Sequence, residues 1–216
     1  MRRVKIGLDI LLAGLLLCQM AYSLVGNRAH EWTGLAFIVL AVAHNVINRS
    51  AYVYAFRGPW SASRAVGLAV TALAMVSLVG LAASAPFVSG HVFVFLNLSG
   101  GASVARTVHL LCAYWGFVFF SFHLGLHFER LAGRMGLGPA GPFKAAAWAL
   151  VILAAGFGVK AFLANDIASY LFLRVIFAYF DPDLPLWLFF SQYLAMMVTF
   201  AALAFCLRKL LRARKP

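Results

Sequence analysis

The run HLLCAYWGFVFFSFH, residues 109–123, places two histidines at the ends of an uncharged and largely aromatic stretch. With no proline and a single glycine inside, it reads as helix rather than as a string of short strands, and its flanks carry it from about Arg106 to Phe128. About 20 helical residues cross a hydrocarbon layer of about 30 Å, so this run is long enough to span a membrane. Working outward, five further stretches meet the same test: Ile6–Val25, His30–Ile47, Arg64–Phe87, Phe143–Ala164 and Leu186–Leu207. The breaks between them hold Asn27, Gly58-Pro59, Ser89-Gly90, Ser99-Gly100-Gly101, Gly138-Pro139, Gly141-Pro142, Pro182 and Pro185, residues that stop helices.

Composition agrees. Of 216 residues, 64% are hydrophobic and 11% charged, against about 25% charged in an ordinary soluble domain. Such a chain cannot cover its apolar surface in water, whereas lipid removes the need. Disordered and collagen-like classes fail on the same numbers, and Cys18, Cys112 and Cys206 show no disulfide pattern. The net charge of +12 would suit nucleic acid only if the basic residues shared a soluble face, but they sit at segment ends. With the N-terminus in the cytoplasm, the inner side receives Arg2, Arg3, Lys5, Arg49, Arg57, Arg64, Arg130, Arg134, Lys144 and the cluster from Arg208 to Lys215. The outer side receives only Arg28, Arg106, Lys160 and Arg174, the bias expected of a multi-pass protein with both termini cytoplasmic. The first span is a poor signal peptide, being long, lacking a clean cleavage site at Gln19–Tyr22 and leading straight into a second span, so it is expected to be retained. Ile167–Phe180, apolar but too short to span, is expected to form a short helix, either along the outer interface or as an ordinary loop helix.

The histidines carry the chemistry. In the second span 44 − 30 = 14, and in the fourth 123 − 109 = 14. Fourteen residues advance about 1400°, within about 40° of four turns, so each pair shares a helix face, with a rise of about 21 Å. Both spans run from outside to inside and are therefore parallel. His30 then aligns with His109 at an outer level and His44 with His123 at an inner one. Neutral imidazoles are axial ligands to haem iron, and two facing ones clamp a haem without leaving an open coordination site. Two stacked b-type haems follow as the expectation. Haem c is disfavoured, because no cysteine belongs to a C-x-x-C-H motif. Zinc is disfavoured because each level offers only two nitrogen ligands. The simpler alternative is that the four histidines only hydrogen-bond between helices.

Neighbouring residues refine the site. His127, four after His123, is an alternative inner ligand, but its spacing to His109 does not match the second span, so it reads as a rim residue for a propionate, a quinone or water. His91 falls in the outer loop, with a solvated surface role or a substrate contact open to it. Arg28 and Arg106 outside, and Arg49 and Arg130 inside, are candidates for propionate pairing, with headgroup snorkelling as the alternative. Gly34 and Gly116 lie near the ligand faces, where a missing side chain admits a flat ring or allows close helix packing. Tyr114 and Trp115 either line a haem or belong to the aromatic belt. Glu31 either orients an imidazole or serves an early helical turn, and Asp9 reads as an ion pair with Lys5.

The expected architecture is therefore an all-α integral membrane bundle of six transmembrane helices with the short outer interfacial helix. Residues 1–130 make a four-helix haem-binding unit, and residues 131–216 add two transmembrane helices.

At His30-Glu31-Trp32-Thr33-Gly34, His44 through Asn48-Arg49, Gly100 through Arg106 to His109, Tyr114-Trp115-Gly116-Phe117 and Ser121 through His127, the chain resembles the flavinylation-associated cytochrome family. The resemblance covers about the first four spans. It implies a di-haem b-type cytochrome carrying electrons between a quinone pool or cytoplasmic donor and a flavin-carrying partner outside a bacterial-type plasma membrane. Members often carry a further histidine where this chain has Ala43. Two other functions fit the residues: a quinol-oxidising subunit of a respiratory oxidoreductase, with His127 or His91 taking the proton, and a haem-free transporter or assembly factor whose histidines line a polar cavity.

Overall fold

In the computed structural model, residues 2–55, 57, 60–98, 100–135, 143–177, 181 and 184–213 are described. The expected breaks at Gly58-Pro59, Ser99, Gly138-Pro139, Gly141-Pro142 and Pro182, residues 178–180 of the expected interfacial segment, and Arg214 and Lys215 lie outside them. The described residues are helical with no strand. They form α1 (Arg2–Met20), α2 (Tyr22–Val25), α3 (Asn27–Ile47), α4 (Ser50–Ala55), α5 (Ala62–Val88), α6 (Ala102–Met135), α7 (Phe143–Ala164), α8 (Ile167–Leu171) and α9 (Leu186–Ala213), with a 3₁₀ turn at Val94–Leu96.

Five of these helices, α3, α5, α6, α7 and α9, are long and apolar enough to cross a membrane. The first is not among them, because Arg2, Arg3, Lys5 and Asp9 fall within its 19 residues. The expected span Ile6–Val25 is divided, with α1 ending at Met20 and a short turn of helix following. Gly26, at φ 83, then reverses the chain in a conformation that side-chain-bearing residues rarely adopt, so α3 begins at Asn27 rather than at His30. The fourth and sixth segments are longer than the apolar run. Charged residues such as Glu129, Arg130, Arg208 and Arg212 end the hydrophobic stretch but are good helix formers, so the helices run on past the layer.

Helices α1 and α3 pack on one another, as do α5 and α6, while α9 packs on both α6 and α7. The backbone of α3 makes its close contacts with α1 and α2 and scarcely approaches α5 or α6, which leaves room between the two hairpins. Two glycines seat α9. A Cβ on Gly125 would run into the backbone of Ala201, and one on Gly158 into the Ala195 carbonyl and the Thr199 hydroxyl. Thr199 also hydrogen-bonds across to the Ala155 carbonyl at 3.1 Å. Buried hydroxyls elsewhere satisfy themselves on carbonyls one turn back, as Ser77 does on Leu73 at 3.0 Å and Ser121 on Phe117 at 2.6 Å. Side chains such as Val39, Val42, Val76, Val79, Ile152 and Leu153 remain exposed on the spanning helices, an apolar perimeter suited to lipid. One buried cluster joins Leu16, Phe37, Leu78, Phe117, Ala161, Tyr170 and Met196, so residues from both of the expected segments share a core.

The short segment after α7 faces inward. Among the described residues of that segment Ile167–Leu171 is helical, and Ile167, Ser169, Tyr170 and Leu171 are buried against the bundle. The reason lies on α6. Tyr170 stacks on Tyr114 with ring centroids 4.5 Å apart and planes 4° apart, and Trp115 Nε1 donates to the Leu171 carbonyl at 2.8 Å. Tyr114 and Trp115 thus dock α8. Replacing Trp115 with Phe keeps the ring and removes the donor. A loss of about 1 kcal/mol is expected, measured by unfolding in detergent.

Candidate functional site

The four histidines occupy two levels of the gap between the hairpins. At the outer level, the rings of His30 and His109 have centroids 6.3 Å apart. Two imidazoles on opposite sides of one metal ion, each with a bond of about 2.0 Å, have centroids roughly 6.3 Å apart. At the inner level, His44 and His123 line one cavity of about 730 Å³, within the ~300 to 1,000 Å³ range of sites that enclose a small ligand or cofactor. His127 lines the same cavity, with its ring centroid 4.5 Å from that of His123.

Helix α5 decides which ring nitrogens are available. Ser84 Oγ donates its one proton to the Gly80 carbonyl at 2.7 Å, so toward His109 Nδ1, 3.0 Å away, it can only accept. Thr71 Oγ1 likewise donates to Gly67 at 2.9 Å and accepts from His123 Nδ1 at 3.3 Å. With those hydroxyl protons on the carbonyls, both rings carry their proton at Nδ1 and present an Nε2 lone pair, the tautomer that binds a metal through Nε2. On α3, His44 Nδ1 lies 3.0 Å from Asp9 Oδ1, a close contact without an aligned hydrogen bond. His30 Nδ1 is shielded from solvent and makes no aligned hydrogen bond. Among the described residues, the hydrogen bonds of His109 and His123 use Nδ1, and no three or more His, Cys, Asp or Glu side chains come together as a metal cluster. Each level offers two imidazoles from facing helices, with His127 and Asp9 beside the inner pair, a donor set that suits a haem held by two histidines better than a tetrahedral zinc site.

The supporting residues sort differently from expectation. Arg28 and Arg106 are exposed at the N-terminal ends of α3 and α6 and have no partner among the described residues. Arg130 lines the inner cavity and Arg49 does not, while Lys5, Arg64 and Arg208, unassigned from sequence, line it too. Gly34 faces α1, where a Cβ would come within 3.0 Å of the Gln19 amide, and Gly116 faces Ser77 of α5 and Phe120. Lys5 reaches Asn48 Oδ1 at 3.0 Å and the Ile47 carbonyl at 3.3 Å rather than Asp9, so the expected Lys5–Asp9 pair is replaced by the contact between Asp9 and His44. An acidic residue inside an apolar span was the available signal. The α5 hydroxyls had a weaker one: 84 − 71 = 13, nearly the interval of the histidines they face.

Glu31 turns away from His30. Its carboxylate accepts from Ser89 Oγ at 2.6 Å and from the amides of Gly90, His91 and Val92 at 2.8, 3.0 and 2.8 Å, which latches the loop after α5 to α3. His91 is exposed and contributes its backbone to this latch. Removing the carboxylate in Glu31→Ala strands three backbone donors. Hydrogen exchange at residues 90–92 is expected to quicken by tenfold or more, equivalent to about 1.4 kcal/mol. Unchanged protection there would refute the latch.

Comparison of the chain with protein-family models, with curated proteins and with solved structures gives no match.

Proposed function

We propose that the chain is a membrane-embedded cytochrome that binds two b-type haems, one between His30 and His109 and one between His44 and His123, and passes electrons across the membrane. The observation that carries this reading is the pair of hydroxyls on α5, Ser84 and Thr71, which stand 3.0 and 3.3 Å from Nδ1 of His109 and His123, an arrangement that suits metal ligation through Nε2 at two levels. Bound haem supplies a one-electron iron couple, and two histidine ligands leave no free coordination site, which favours transfer over oxygen chemistry. The chain itself orients the imidazoles and keeps cationic groups, Lys5, Arg64, Arg130 and Arg208, at the inner cavity, where they suit propionates or another anionic group. The reading includes six spans with α1 among them, both termini cytoplasmic and a bacterial-type plasma membrane. It also includes kinship with the flavinylation-associated cytochromes, with a quinone pool or cytoplasmic donor on one side and a flavin-carrying partner on the other.

The test is the haem content of purified full-length protein. About two haems per chain, with a low-spin visible spectrum, is the expected result. Colourless protein, still colourless after addition of hemin, would overturn the reading. One observation favours a quinol-linked variant of it: His127 lies in the inner cavity beside His123, where a neutral imidazole can take a proton. Reduction by an added quinol, slowed in His127→Ala while haem content stays the same, distinguishes that variant from a simple conduit.

A further inference from the structure

The two histidine pairs share one spacing but differ in their surroundings. At the inner level, a carboxylate oxygen of Asp9 stands 3.0 Å from His44 Nδ1. At the outer level, His109 has the neutral Ser84 hydroxyl; neither His30 Nδ1 nor His44 Nδ1 makes an aligned hydrogen bond, so what distinguishes the inner level is the nearness of the carboxylate. Glu31, next to His30, acts on it through its charge but forms no ion-pair contact with the ring, its carboxylate being held by Ser89 and three loop amides.

We propose that Asp9 is a tuning residue that sets the inner site at a lower reduction potential than the outer one. This rests on the haem reading above. An anion against the distal nitrogen makes an imidazole a stronger donor and favours the oxidised, more positive, metal. Cations at the same cavity act in the opposite sense, but their hydrogen bonds hold them away from the His44 ring. Lys5 is bound to Asn48 and Ile47, Arg208 to the Leu126 carbonyl, and Arg64 to the carbonyls of Tyr54 and Arg57. Arg130 is exposed. Charges facing solvent at a cavity mouth are screened, whereas a contact at the ring itself is not. Nearness therefore decides the sign in favour of Asp9.

The test is an equilibrium redox titration of the full chain followed by visible absorption, in the wild type and in Asp9→Asn, Asp9→Ser and Asp9→Glu. The wild type is expected to titrate in two separate one-electron waves. The two neutral variants raise the lower wave by at least a tenfold change in the reduced-to-oxidised ratio, ~59 mV for one electron. They leave the upper wave in place, and Asp9→Glu keeps the lower wave near its original position. A single wave in the wild type, an unmoved lower wave in the neutral variants, or an equal shift of both waves would each overturn the proposal, the first without any variant having to fold. Haem content is measured on the same samples. Wild-type protein without haem removes the proposed function and this inference together, whereas two haems with an unmoved lower wave remove this inference alone.

Discussion

His109→Ala and His123→Ala are each expected to lose one of the two haems, from a different level, and the double variant to lose both. His30→Ala and His44→Ala should pair with them, His30 with His109 and His44 with His123, so that a double variant within one level retains about one haem per chain. The levels are independent in this respect because about 21 Å of helix separates them. His127→Ala should keep both haems, since its ring lines the inner cavity while Thr71 orients His123 rather than His127. Graded losses are expected one layer out. Ser84→Ala and Thr71→Val leave the ligands in place but free their rings to turn, which typically weakens metal-site affinity by about ten- to a hundredfold. Haem titration of the stripped protein measures this. Equal haem content and affinity in all these variants would mean that the histidines serve only to join helices.

Gly125→Ala is expected to abolish the native bundle. The added Cβ meets the backbone of Ala201 on α9, and a backbone cannot swing aside as the end of a flexible side chain can. Overpacking a core typically costs about 1 to 3 kcal/mol, and a collision with backbone belongs at or above the top of that range. Gly158→Ala meets the Ala195 carbonyl and should behave alike. Gly156→Ala supplies the control. It lies on the same helix with nothing within 4 Å of the added carbon, and alanine is the better helix former by about 1 kcal/mol, so it should be neutral or stabilising. Yield of monodisperse protein in detergent and its thermal midpoint separate these outcomes. A Gly125→Ala protein as stable as Gly156→Ala would show that α9 does not seat on α6 at this point.

The helices that carry the site were legible in the sequence for a physical reason. An apolar run without proline must satisfy its backbone within itself, so 143–164 could be read as a helix and is one, Phe143–Ala164. Other ends were less legible, because helix and apolar run are different things. The sixth span was read to Leu207, but its helix continues through Arg208 and Arg212 to Ala213, where Arg212 pairs with Glu129 at 2.8 Å. The stretch after α7 was less legible in another way. Its apolar and aromatic composition suits an interface as well as a core, and only the ring of Tyr114 and the indole of Trp115 on α6 drew it inward.

What the chain determines by itself is periodic and local: apolar lengths, turn residues and the repeated interval that puts two histidines on one face of α3 and two on one face of α6. What needed the tertiary structure is every relation between helices. Ser84 and Thr71 acquire meaning only when α5 lies against α6, and Asp9 only when α1 lies against α3. Helical periodicity records which way a residue points along its own axis, but which neighbour it then meets depends on packing, and packing is where the ring nitrogens of this site receive their protons and their charge.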